Sequence, residues 1–427
     1  MANFDIAIGI SQNALNQITS AFYDLGKNTI FKGSIDASGI TVNWQANTAP
    51  VINLNPPSLD KAQQIVESCD LNKYPRLLSI VSPETKNHVA EFLADSGNGF
   101  SLKIDEFQMT FGDDPVTVPL YARGSVTTNG SQTSLNILSI AITVQGSVNQ
   151  NIVNKFIIPE MMNVLGGALK GVSIPPLSLP NINLGGSRAA IKNGQLLVFA
   201  NISSNPSVPS IDGFGFPSND FFAVLSNNTM QQEVNASVAG KTFGPSGSVD
   251  LGITHADYHA TVTIQNPKVS ISGTDLHINM DLKGSAGASI TIACSHPGID
   301  FNVYATPSPT VTCRTSIDNN NNISVHGSSC SSFASIVNVT GWVPPIVSEF
   351  VDLIASAIAS TVTATLSSQI VGAISFGSFQ LPQIGVNYGG VNLNISGTGM
   401  NMGNIQGCMT IQGGISIAYR AEPAQVY

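Results

Sequence analysis

Charged side chains are scarce in this sequence. Asp, Glu, Lys and Arg make up 10% of its 427 residues, against roughly 25% in ordinary soluble domains. Basic residues are the scarcer kind: 17 Lys and Arg stand against 26 Asp and Glu, for a net charge of −9. With no basic stripe to displace counterions from phosphates, a nucleic-acid partner is not expected. Nor is a strongly cationic face for anionic lipid headgroups. Five cysteines are too few to staple a chain of this length, and the number is odd. Pairing among Cys294, Cys313, Cys330 and Cys408 stays open, beside the reading of buried thiols that pack as small hydrophobes. The opening "MANFDIAIGIS" has no basic n-region and no continuous apolar run, because Asp5 interrupts it. It is not read as a signal peptide.

Catalytic signatures are missing as well. No Gly-x-Ser-x-Gly elbow occurs, and "GTGMNMG" (Gly397 to Gly403) lacks the strand-then-helix context of a dinucleotide site. "DNNNNIS" places Asp318, Asn320 and Asn322 at calcium-loop spacing without the central Gly or closing Glu, and reads as a hairpin tip. His255, Asp257 and His259 alternate in "THADYHA" and share one face of a strand. They form an incomplete metal-ligand set, and a solvated strand face is the preferred reading. No enzyme class and no cofactor is expected.

What is abundant is Gly, at 39 residues, together with Asn, Ser and Thr. A surface solvated by hydroxyls and amides favours an exported or extracytoplasmic protein over a cytoplasmic one. "LIASAIASTVTATLSSQIVGAI" (Leu353 to Ile374) is long and uncharged enough to raise a membrane question. Its Ser, Thr and Gln content and its apolar stripe point instead to a soluble helix in a groove.

The chain also repeats itself. A length of 427 residues carries a prior of roughly two to four domains. "LPNI" (179–182) returns as "LPQI" (381–384), each following a long apolar segment. "ISQNALNQ" (10–17) aligns with "LSNNTMQQ" (225–232). In each half a short apolar run, "FDIAIGI" or "FFAVL", leads to a serine suited to cap a helix, Ser11 or Ser226. After Ser11, Leu15, Ile18, Phe22 and Leu25 recur at helical spacing; Met230 and Val234 do so in the second copy. Long β-rich bodies follow, with "SLKIDEFQMTF", "SLNILSIAITVQGSV", "ATVTIQNPKVSIS" and "LHINMDLKG" as strands. The segment from Leu59 to Cys69 is expected as a short helix.

Each body ends in a more apolar helix. "NIVNKFIIPEMMNVLGGALKG" carries Pro159, a kink or a true helix start. "PPIVSEFVDLIASAIASTVTATLSSQIVGAI" begins with Pro345 in a first-turn position. Ile354, Ile358, Val362, Leu366 and Ile370 step by four, so a wide, curving apolar surface is expected there. From Leu353 to Tyr419 no charged residue or His occurs, which suggests a largely interior or partner-covered segment. The Leu-Pro-x-Ile stretches are read as the points where a long helix ends and the chain turns back as a strand along the sheet that covers it. "SSNPSVPSIDGFGFPSN" (Ser203 to Asn219) reads as a linker. The expected division is 1–205, a linker at 206–219, and 220–427.

This grammar, present twice, resembles the tubular lipid-binding (TULIP) superfamily, and is similar to its two-domain bactericidal/permeability-increasing members. "IIPEMMNVLGGALKGVSIPPLSLPNINLGGSRAAIKNGQLLVFANI" carries most of the likeness. The opening "FDIAIGISQNALNQI" also looks like the bacterial TULIP proteins encoded beside clostridial neurotoxins. The resemblance implies an α+β fold of two tandem modules, each a highly curved antiparallel sheet wrapped around a long helix, joined through a central sheet. It implies non-catalytic binding or transfer of a lipid or other elongated hydrophobic molecule in apolar tunnels. The alternative is a structural or assembly component of a toxin complex or surface particle, with collapsed tunnels. Tunnel-lining candidates are Leu15, Ile18, Phe22, Ile158, Met161, Met162 and Leu165 in the first half. Phe350, Ile354, Ile358, Val362 and Leu366 are their counterparts in the second. Transient membrane contact and a protein partner in a larger complex remain open.

Overall fold

The computed structural model describes residues 3–37, 39–55, 98–129, 132–174, 177, 179–252, 255–291 and 296–419. The helix expected at Leu59 to Cys69 lies outside them, as does Cys294. The first half runs β1 (Ile6–Ser11), α1 (Gln12–Gly26), β2 (Lys32–Ala37), β3 (Ile40–Ala46), β4 (Val51–Asn53), β5 (Gly99–Phe111), β6 (Asp114–Asn129) and β7 (Gln132–Ile142). It continues through α2 (Ser147–Ile152), α3 (Ile158–Lys170), β8 (Val172–Ser173), β9 (Arg188–Lys192) and β10 (Gln195–Ala200). The second runs β11 (Phe221–Leu225), α4 (Asn227–Val238), β12 (Thr242–Phe243), β13 (Ser246–Asp250), β14 (His255–Ser272), β15 (Asp275–Ile290), β16 (Gly298–Thr306) and β17 (Thr310–Ile317). There follow β18 (Asn322–Cys330), β19 (Ala334–Thr340), α5 (Val351–Ala373), β20 (Ser375–Gln380), β21 (Ile384–Tyr388), β22 (Val391–Ile405) and β23 (Cys408–Tyr419).

Three antiparallel sheets result. The first half supplies β2-β3-β5-β6-β7, with β4 on β5; the second supplies a larger sheet built on β14, β15, β17 and β18. Both are curled half-barrels. Between them lies a central sheet in the order β8-β21-β22-β23-β11-β1-β10-β9, to which both halves contribute. At its middle β1 pairs with β11, Ile8 opposite Ala223. Strands β1 and β11 are buried throughout, which is why their sequences are continuous apolar runs rather than alternating ones. One face of this sheet, carrying Ile6, Ile8 and Ile10, joins the main core. The other packs Phe4, Leu197, Phe199 and Phe222 beneath Ile211 and Phe214. Those last two belong to the stretch expected as a linker, so it is pinned along its length to the central sheet. Opposite Phe222 stands Gly9; a Cβ there would lie 1.9 Å from the ring carbon Cζ, so only glycine admits the ring.

Both capping serines act as read. Ser11 Oγ accepts from Ala14 N at 3.0 Å and Ser226 Oγ from Thr229 N at 3.1 Å. What the alignment of the two openings did not bring out is the pair of aspartates before them. Asp5, Ser226 and Asn228 form one cluster: Asp5 Oδ1 accepts from Ser226 Oγ and Asn228 Nδ2, both at 2.9 Å. Asp5 Oδ2 accepts from Ile202 N at 3.1 Å and Asn205 Nδ2 at 2.9 Å. Asp220, Ser11 and Asn13 repeat it, with Ser11 Oγ donating to Asp220 Oδ1 at 2.7 Å and Asn13 Nδ2 at 3.2 Å. The aspartate before each central strand therefore braces the helix cap of the other half.

Helix α3 shows what Pro159 does. Lacking an N–H, proline cannot close a regular turn, and the chain relaxes into a π-helical segment, Val153–Ile157, just before it. Ile158 N donates to Val153 O, five residues back, a π-bulge of the kind that bends helices. Pro345 opens a 3₁₀ turn, Pro345–Phe350, that leads into α5.

Two readings of the second half change. The ladder Ile354, Ile358, Val362, Leu366 and Ile370 is buried, but as a narrow stripe. Leu353, Ser356, Ser360, Ala364 and Ser368 face outward, so the uncharged stretch is not largely interior; its outer face is small and hydroxyl-rich. Each Leu-Pro-x-Ile segment also does something other than return along its own half's sheet. After it the chain enters the central sheet, as β9–β10 or β21–β22. On the way it touches the other half: Asn181 Nδ2 donates to Glu233 Oε1 of α4 at 2.7 Å. In the first half Leu25, at the edge of the α1 stripe, is 43% exposed.

Candidate functional site

Helices α1 and α3 both pack into the first-half core, α1 against β4 and α3 against β7. Ser11 sets where α1 begins, which fixes Ile18 and Phe22 on its inner face; the π-bulge before Pro159 sets the phase of α3, which turns Leu165 and Leu169 inward. Between them is an apolar cavity of about 40 Å³. Its wall takes Ile18, Thr19 and Phe22 from α1, Leu165, Ala168 and Leu169 from α3, Leu102 from β5, and Val386 from β21. The two helices thus contribute three residues each to the wall. Thr19 is its lone hydroxyl, already committed to Asn16 O at 3.1 Å and Pro50 O at 3.0 Å. No free side-chain donor is left among the described lining residues, so the chemistry on offer is mainly apolar contact.

Of the twelve predicted lining residues, Ile18, Phe22 and Leu165 meet at this cavity. Leu15 and Met161 are buried nearby in the same core, and Ile158 and Met162 are half-buried at its margin. In the second half Ile354, Ile358 and Val362 are 0% exposed, so no water-sized space adjoins them. Leu366 is buried beside them, while Phe350 is half-buried at the start of the helix. Helix α5 is tied down on both sides of the stripe. Thr361 Oγ1 and Tyr258 Oη share a 2.5 Å hydrogen bond; Thr363 Oγ1 donates to Ser335 Oγ at 3.0 Å and accepts from Ser335 N at 2.9 Å. Ala168 and Leu169 continue the Leu165 stripe and were legible by spacing. Val386 was not, because it arrives from the other half.

His255, Asp257 and His259 do share one face of β14, and that face is the exposed one. His255 Nε2 stands 3.7 Å from Asp257 Oδ2. Among the described residues no group of three His, Cys, Asp or Glu side chains comes together. Asp318 caps a hairpin tip, accepting from Asn320 N and Asn322 N, both at 2.8 Å. Cys313, Cys330 and Cys408 are free thiols. Cys313 and Cys330 sit on neighbouring strands, but Cys313 faces Gly327 and Cys330 faces Val311, so they are out of register. Burial pushes the Cys313 thiol up to about 12 and raises Cys330 and Cys408 too.

Two curled antiparallel sheets joined through a shared central sheet are the α+β arrangement that the sequence resemblance implied. Among solved structures the chain is similar to P47 of Clostridium botulinum E1, at 11% identity and TM-score 0.46, covering 97% of this chain and 100% of that one. It is similar to P47 from Clostridium botulinum A2, at 12% identity and TM-score 0.43, covering 97% of each. A lipopolysaccharide binding protein follows at 9% identity and TM-score 0.33, covering 97% and 99%. No family model and no curated protein matches the chain.

Proposed function

We propose that the protein binds the alkyl chain of a lipid, or a similarly elongated apolar molecule, without chemical transformation, and that the first half holds the ligand. The observation that carries this is the apolar cavity between α1 and α3. At about 40 Å³ it is smaller than the roughly 150 Å³ engineered cavity that admits benzene, so ligand entry requires the helices to part. Flexible Met161 and Met162 beside it suit such repacking. Organic extraction of the purified protein followed by mass spectrometry, with fluorescent fatty-acid uptake, tests the reading. Ala168→Trp should fill the space and abolish uptake while the fold persists. Absence of both co-purified lipid and uptake in the unmodified protein would favour the second reading, a structural or assembly component. The closed packing of Ile354, Ile358 and Val362 supports that alternative, since no water-sized space adjoins those three side chains.

A further inference from the structure

A larger open space lies elsewhere, where the two halves meet. A cleft of about 670 Å³ is bounded by the start of β1, the first turn of α4, the end of β14 and the turn between β22 and β23. That volume falls within the ordinary range of small-molecule sites, roughly 300–1,000 Å³. Its floor is Asp5, 2% exposed, with both carboxylate oxygens occupied by the four donors described above. The equivalent Asp220 cluster makes the same brace for α1, so bracing alone does not account for the space above Asp5.

The walls decide what chemistry fits. Asp5 and Cys408 are the only ionisable side chains among the described lining residues. The carboxylate is saturated, and burial keeps the thiol protonated. No Lys, Arg or His faces the cleft to hold a phosphate or carboxylate. Of the first-turn donors of α4, Thr229 N is committed to Ser226 Oγ. Among the described lining side chains what remains is neutral: the amides of Asn3, Asn227, Asn228 and Gln406, with the hydroxyl of Ser270, around an apolar wall at Ile271. The Asn228 amide is oriented in advance, because its Nδ2 is fixed on Asp5. Neutral donors and acceptors around a small apolar surface match a molecule with a hydroxyl rim and a C–H face.

The geometry points to this cleft as a binding site for a neutral saccharide, independent of the alkyl-chain cavity. Preformed amides lower the ordering cost of binding, and a rim of uncommitted groups discriminates by hydroxyl position.

Saturation-transfer difference NMR and calorimetry on the full chain, with maltotriose, cellotriose and chitotriose as probes and glucose 6-phosphate as the charged control, provide the test. At least one neutral trisaccharide should bind with millimolar or tighter affinity, and the phosphate group should add nothing. Ser270→Trp, at an exposed strand position, should weaken that binding at least tenfold by filling the cleft. Asn227→Leu should weaken it by removing one amide; if circular dichroism shows the tryptophan variant misfolded, Asn227→Leu carries the test. Binding should persist in Ala168→Trp, which separates this site from the lipid cavity. Failure of all three trisaccharides to bind, or equal binding in a folded Ser270→Trp or Asn227→Leu variant, overturns the assignment.

Discussion

Asp5 and Asp220 occupy equivalent places in the two openings, yet their surroundings differ. Asp5 is 2% exposed and serves four donors, so removing its carboxylate strands buried N–H and O–H groups that each cost about 1–3 kcal/mol when unsatisfied. Asp5→Ala should therefore lower unfolding stability by about 3 kcal/mol. Asp220→Ala, at a half-buried site whose other hydrogen bonds are long and exposed, should cost about 1 kcal/mol. Urea denaturation of both variants checks the difference. Gly9 is constrained from the opposite direction: Gly9→Ala forces the Phe222 ring aside, at about 1–3 kcal/mol, and Phe222→Leu in the same chain should recover part of the loss. Cys313 adds a pH dependence. Its folded value of about 12 lies above the ordinary 9.0, so between these the unfolded chain has released a proton that the folded chain keeps. The stability it contributes is complete below pH 9 and falls as pH rises towards 12. Maleimide at pH 8 should leave Cys313 unmodified until the protein unfolds.

The helices separate into one that can yield and one that cannot. Along α5 each inward residue is surrounded, so Ile358→Ala should cost about 2–5 kcal/mol and Ile358→Trp about 1–3 kcal/mol through overpacking. Beside the α1–α3 cavity, Ala168→Trp should cost clearly less than Ile358→Trp, because part of the added volume meets empty space. Melting temperatures of the two tryptophan variants compare the elements directly; equal losses would mean that the cavity is no softer than the core. The stepping-by-four pattern identified the inward face of α5 correctly. It could not show the width of the buried stripe, because Ser, Thr and Ala at the flanks pack or face solvent equally well.

At the scale of the molecule the central sheet makes the halves interdependent. Residues 1–205 alone would leave β1 without β11 and the buried Ile6, Ile8 and Ile10 face without part of its cover. Residues 220–427 alone would leave β11 exposed, a bare apolar edge of the kind that aggregates. Each half expressed by itself should be insoluble or expanded by size-exclusion chromatography, while co-expression should restore a soluble complex. A monomeric, cooperatively unfolding 1–205 fragment would show instead that the first half is a self-sufficient domain.

The sequence by itself determined the local grammar: which serines cap, where proline breaks a helix, which runs become strands, and that the pattern occurs twice. These depend on neighbours a few residues apart, where periodicity and backbone sterics act. Tertiary structure alone decided that each Asp braces the opposite helix cap, that Val386 closes a cavity belonging to the other half, and that the apolar ladder of α5 is solid core. Such pairings join residues some two hundred positions apart. A buried isoleucine reads the same in sequence whether a side chain or an empty space lies against it; only the packing of the assembled sheets distinguishes the two.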